Sequence, residues 1–150
     1  MQKITTFLTF NDQAEEAVNF YTSIFKNSKI ESMMRAGETV FGGTFRIDGQ
    51  QFMVLNGGPH FTFAQGISLF VNAETQAEID DLYEKLSEGG SKEPCGWLKD
   101  KFGVSWQIIP SALVELMGDK DPEKANRVVQ EMLKMNKIII ADLQKAYDQK

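Results

Sequence analysis

Residues 94–110 read PCGWLKDKFGVSWQIIP, and this stretch decides the fold. It has the form of a strand, a tight polar turn from Lys99 to Gly103, and a second strand that stops at Pro110. Along the second strand Val104, Trp106 and Ile108 alternate with Ser105, Gln107 and Ile109. Both faces are mostly apolar, so both are expected to be covered. Gln107 is the exception. A buried polar group costs free energy unless it finds a partner, so Gln107 either makes a structural hydrogen bond or lines a site. Trp106 falls on the opposite face and reads as core.

Toward the N-terminus, residues 66–71 open a strand, and Thr75 with Glu78 forms a capping box for a helix. Ile79, Leu82, Tyr83 and Leu86 mark its inner face, and Gly89-Gly90 ends it. The same plan occurs earlier in the chain. Residues 3–10 are a β-type run. Asp12 and Glu15 propose another capping box, and Ala14, Ala17, Val18, Tyr21, Ile24 and Phe25 follow at helical spacing over residues 13–25. A shift of 62 positions lays Phe7 on Leu69, Ala17 on Ile79, Phe20 on Leu82, Tyr21 on Tyr83 and Ile24 on Leu86. Three strands are expected next, over residues 29–34, 39–47 and 51–56, with Asp48-Gly49 as a hairpin turn. Too few helices alternate with strands for a doubly wound sheet. The pattern predicts an α+β fold, a single domain over residues 1–150 whose strands curl around a shared cavity. Module one spans about residues 1–58, module two about 64–110, and C-terminal helices occupy 111–150.

In that tail, Ala112, Leu113, Leu116 and Met117 suggest a short helix ending at Gly118, and Asp121-Pro122 a cap with proline in the first turn. Ala125, Val128, Val129, Met132 and Leu133 form an apolar stripe, and a last helix holds Ile140, Leu143 and Tyr147. Such stripes must be buried, either on the domain's own sheet or on a second subunit.

The chain has 16 basic and 21 acidic residues, a net charge of −5. That balance argues against a nucleic-acid partner, because phosphate binding needs a basic excess. One cysteine excludes an intrachain disulfide and suits a reducing compartment. The sequence enters a strand pattern at once, so no signal peptide is expected, and it has no apolar run long enough to span a membrane as a helix. A cytoplasmic protein is the expectation.

Several motifs now resemble one family. They are DQAEEA at residues 12–17 with Phe20-Tyr21, NGGPHF at 56–61, CGWLKD at 95–100, FGVSWQ at 102–107 and DPEKA at 121–125. Together they resemble the PhnB-like group, often labelled 3-demethylubiquinone-9 3-methyltransferase-like, of the vicinal oxygen chelate superfamily (glyoxalase I, bleomycin-resistance proteins, extradiol dioxygenases). The resemblance implies paired βαβββ modules and a homodimer. The second module looks one strand short, or holds a very short strand near Lys92. The superfamily's usual chemistry uses a divalent metal held by two histidines and a glutamate. By motif those places fall at Thr5, at Gly66 (or Ser68 if the strand register slips), and at Gln107. Such metals bind imidazole and carboxylate, so no cofactor or metal is expected here. The methyltransferase label has no support from a glycine-rich strand–turn–helix: Gly57-Gly58 leads into Pro59 and a loop.

His60 is the only histidine. Histidine titrates near neutrality, so His60 either passes a proton at the cavity mouth, as the one catalytic candidate, or packs its ring to hold the loop. Trp97 either stacks on a ligand or joins the core. Asn56 either bonds a ligand or caps the turn it opens. Cys95 reads as a small buried hydrophobe, and Asp100 and Asp12 as turn and cap residues. The reading is a protein that binds a small organic molecule near Gln107, Trp97, Asn56 and Thr5, with an enzyme of the same superfamily (a metal-assisted lyase, a dioxygenase, or a methyltransferase as the family label says) as the alternative.

Overall fold

A computed structural model describes residues 2–149. The described chain divides into two compact units between Phe63 and Ala64. The first contains β1 (Thr6–Phe10), α1 (Ala14–Ile24), β2 (Lys29–Ala36), β3 (Thr39–Ile47) and β4 (Gln50–Asn56). The second contains β5 (Leu69–Asn72), α2 (Gln76–Ser87), β6 (Ser91–Lys92), a 3-10 turn (Pro94–Gly96), β7 (Trp97–Lys99) and β8 (Ser105–Ile109). It continues into α3 (Ser111–Met117), α4 (Pro122–Met132) and α5 (Ile140–Asp148). The sheets have matching orders, β1-β4-β3-β2 and β5-β8-β7-β6. In each, the first strand runs parallel to the last and the other pairs are antiparallel. The short strand near Lys92 is β6.

In the first unit, Leu8, Phe10, Phe45, Phe52 and Val54 line the sheet face against α1, which contributes Ala14, Ala17, Val18 and Tyr21, all buried. Alanine at two of these positions lets the helix backbone approach the strands. Phe45 stacks on Tyr21 and Phe52 at 6.3 and 5.4 Å between ring centroids. A phenylalanine buried this way contributes about 2–3 kcal/mol relative to exposure. The β3–β4 hairpin turns through Asp48 and Gly49, with φ of 49° and 80°. Both values are positive, as the turn type that matches strand twist requires.

The capping box expected at Asp12 and Glu15 does not form. The N-cap position is Gln13, which makes no side-chain capping bond. The end of β4 supplies the acceptor instead: Asn56 Oδ1 accepts from the Ala14 N–H at 2.8 Å, while its Nδ2 donates to the Val40 carbonyl at 3.2 Å. A residue distant in sequence thus does the work of a cap and ties helix to sheet. Asn56→Ala leaves both groups without these partners. It should lower stability by about 1–2 kcal/mol, read from urea denaturation midpoints. In the second unit the capping box is present, with Thr75 accepting from the Glu78 N–H at 3.1 Å.

The repeat needs one adjustment. The offset of 62 holds for the helices, where Tyr21 and Tyr83 are both fully buried. The strands follow 61. Leu8 pairs with Val54 on the α1 side, and Leu69 pairs with Trp106 on the corresponding side of the second sheet. Phe7 therefore faces away from its helix, where Leu69 faces toward one. A one-residue slip in a strand exchanges its faces.

The C-terminal helices bury their stripe on their own unit. Ile109, Leu113, Val128, Met135, Ile138 and Leu143 form one buried cluster, with Met132 and Tyr147 packed against it. Leu133, expected in the stripe, is 54% exposed. Two backbone bonds fasten the segment before α5 to the 3-10 turn, Cys95 N–H to Met135 at 2.9 Å and Gly96 N–H to Asn136 at 2.7 Å. Gly96 has φ +83°, and a Cβ there would lie 2.6 Å from Ile109 Cδ1 and 3.0 Å from Ile138 Cγ1. Only glycine permits that approach. Cys95 is half-buried, not a core residue, and holds φ 65° within this turn.

Candidate functional site

The β7–β8 hairpin is held from one side by a buried carboxylate. Asp100 is 2% exposed. Its Oδ1 accepts from the backbone N–H groups of Phe102 and Val104 at 2.9 and 3.0 Å, and its Oδ2 accepts from Trp106 Nε1 at 2.9 Å. The polar turn is thus built around a charged acceptor, and Trp106 is core, as its strand parity requires. From α2, the Tyr83 hydroxyl reaches the carbonyls of Trp97 and Glu93 at 2.8 and 3.1 Å. Burial pushes this phenol up to about 12, so it remains a neutral donor across the ordinary pH range. It anchors the backbone at the start of β7 and so sets where Trp97 stands.

The other face of the hairpin carries the candidate site. Trp97 and Gln107 are direct partners across the β7–β8 ladder, and Phe70 is the partner of Gln107 on β5. These three side chains form one row on the face turned away from Leu98, Trp106 and Ile108. Gln107 is half-buried, and its Nε2 donates to Ser68 Oγ at 2.9 Å. The polar exception in the strand therefore has a partner, and that partner is the residue that the slipped register places near it. Phe70, at 50% exposure, and Ser68 complete the row. Only β5–β8 pairing shows this; strand alternation in residues 105–109 marks Gln107 but not what stands beside it.

The remaining expected residues lie in the first unit. Thr5 precedes β1, in phase with Phe7 and Thr9 on the face away from α1; Phe7 and Met53 are exposed neighbours on that face. Asn56 is in phase with Val54 on the helix side, and its amide is engaged in the bonds described above. His60 stands in an exposed turn after Gly58.

Among the described residues no three His, Cys, Asp or Glu side chains gather into a group able to hold a metal ion. The three places implied for the superfamily's metal carry a threonine hydroxyl, a serine hydroxyl or glycine, and an amide. Ser68 and Gln107 are already bonded to each other. This donor set does not suit a divalent ion that selects imidazole and carboxylate. No helix among the described residues is long and apolar enough to cross a membrane.

Two βαβββ units with first strand parallel to last define the vicinal oxygen chelate class of fold, here with a helical extension after β8. Within it, the chain belongs to the family described as 3-demethylubiquinone-9 3-methyltransferase, whose profile matches residues 2–109. The match ends at the last residue of β8, so the three C-terminal helices lie beyond it. A PhnB protein from Bacillus cereus is 43% identical, over 73% of this chain and 99% of that one, with a TM-score of 0.66. The protein PA1353 from Pseudomonas aeruginosa shares the fold at 22% identity and a TM-score of 0.62, over 72% of this chain and 96% of that one. The fosfomycin resistance protein FosX from Listeria monocytogenes, solved with Mn(II) and sulfate, does so at 15% identity and 0.51, over 72% and 91%. No curated protein matches the chain.

Proposed function

We propose that this protein holds a small, partly apolar organic molecule on the open face of its second sheet, without a divalent metal, and works as a homodimer. The row Phe70–Gln107–Trp97 carries this reading. Two rings supply apolar surface, and an amide with a serine hydroxyl supplies a polar anchor, the composition expected of a small-molecule site. An enzyme needs converging ionisable groups. This row has none.

The test pairs metal analysis with ligand binding. Elemental analysis of purified protein should find no stoichiometric Mn, Fe, Ni or Zn. None of these ions, nor Mg, should raise the melting temperature. A metal binding only the folded state at a hundredfold excess over Kd would stabilise it by about 2.7 kcal/mol. A neutral planar probe, 1-naphthamide, should bind measurably in equilibrium dialysis, and Trp97→Ala should weaken it roughly tenfold, the loss expected for one stacked ring. A stoichiometric metal with a clear thermal shift overturns the reading in favour of the enzyme alternative. That alternative, which the family description favours as a methyl transfer, would give His60 the proton-transfer role. Turnover surviving in His60→Ala would remove it. Sedimentation equilibrium tests the dimer.

A further inference from the structure

We infer that the ligand of this face is an anion on a planar apolar body, its acidic group read by Lys99 and Ser105; this rests on the reading just proposed. Among the described residues, Ser105 Oγ is a buried side-chain oxygen with no hydrogen-bond partner. The residue is 2% exposed. A hydroxyl held that way costs free energy in the free protein, and alanine would fit the same space without the cost. Ser105 is in phase with Gln107 on β8, so its side chain belongs to the same face as the aromatic row. Its direct partner across the ladder is Lys99, and the next pair on the same face of the ladder is Trp97 with Gln107. Cross-strand partners stand about 5 Å apart at Cβ.

The face therefore has an order. Phe70 and Trp97 flank Gln107 and Ser68, and one pair further on stand a hydroxyl donor and an ammonium group. The six side chains carry one cation and no carboxylate. A carboxylate, or another compact anion, accepts from both Ser105 and Lys99, and such charge-assisted bonds are about twice as strong as neutral ones. A flat ring system extending from it lies against Trp97 and Phe70. The flexible Lys99 stem swings aside to admit the anion to Ser105, and then closes on it.

The experiment compares 1-naphthoate with its neutral counterpart 1-naphthamide, by equilibrium dialysis on the full chain at fixed ionic strength. For the wild type, naphthoate should bind at least about tenfold more tightly. Ser105→Ala and Lys99→Met should each weaken naphthoate roughly five- to tenfold and leave naphthamide within about twofold, and Lys99→Arg should restore most of the naphthoate affinity. The melting temperature of free Ser105→Ala should be no lower than that of the wild type, which separates a binding role from a structural one. Equal affinity for the two probes overturns the anion assignment and leaves the binding reading standing. So does a preference that survives both substitutions, or a loss shared by both probes. If neither probe binds the wild type, the proposed function fails with it.

Discussion

Asp100→Ala should lose about 4 kcal/mol of folding stability, the largest effect expected of any single side chain outside the aromatic core. Two backbone N–H groups and the Trp106 indole N–H all donate to this carboxylate, within a residue that is 2% exposed. Hydrogen bonds to a charged acceptor contribute about 1.5–3 kcal/mol each, and a buried donor left alone carries its own desolvation cost. The sum is held below simple addition because the turn can open and let water reach Phe102 and Val104. Asp100→Asn makes the division visible. An amide oxygen can still take the two backbone donors, but its NH2 then faces the indole N–H, donor against donor. That variant should lose about 2 kcal/mol, and its tryptophan emission should shift as Trp106 loses its partner. Chemical denaturation monitored by circular dichroism measures both. A loss under 1 kcal/mol for the alanine variant would mean that the carboxylate does not organise the hairpin. The same experiment bears on the site, because Ser105, Gln107 and Trp97 all stand on strands that this turn joins.

Ile138→Ala should cost about 3 kcal/mol and loosen the C-terminal extension. The side chain is fully buried in the cluster with Ile109, Leu113, Val128, Met135 and Leu143. Truncating a buried isoleucine to alanine costs 2–5 kcal/mol through lost transfer energy and the cavity left behind. The value belongs in the middle of that range because polar bonds beside it persist. Gln76, at the first position of α2, holds both sides of the segment: its Nε2 donates to the Ile138 carbonyl at 2.9 Å and its Oε1 accepts from the Ile140 N–H at 2.8 Å. Lys137 adds ion pairs to Asp80 and Glu84 at 3.2 and 3.5 Å, with exposed carboxylates that contribute little. Limited proteolysis should show cleavage after Lys134 or Lys137 appearing earlier in the variant than in the wild type. Unchanged protection would mean that the backbone bonds of Cys95 and Gly96 and the side-chain bonds of Gln76 hold the extension without its apolar anchor.

Much of the architecture was legible from local pattern. The second helix, with Thr75 as its cap and Tyr83 on its inner face, follows from a 3.6-residue period and a hydroxyl three residues before a glutamate. The Asp48-Gly49 hairpin and the cap at Asp121 are equally local, since turn and cap preferences act over a few residues. The opposition of Trp106 and Gln107 follows from strand alternation alone. The first helix shows where that logic stops. Asp12 and Glu15 spell a capping box, yet Asn56 takes the Ala14 N–H, because a strand end brought alongside offers a better-placed acceptor than the nearby side chain. The offset between the two units failed by one residue for the same reason: helix and strand have different periods, and only pairing states which side of a strand faces in.

By itself, then, the sequence determined the elements, their repeat, the family, and the one polar residue in the apolar strand, because periodicity, turn chemistry and motif order are carried by neighbours in the chain. Tertiary structure decided what stands beside Gln107. Ser68 and Phe70 reach it through the parallel pairing of β5 with β8, and Trp97 and Lys99 through the ladder of β7 with β8. It also decided that Ser105 is enclosed without a hydrogen-bond partner and that the Asn56 amide bonds Ala14 and Val40. Those outcomes depend on strand register and on which face a helix covers. Both are set by packing between residues far apart in the chain, which no local pattern records.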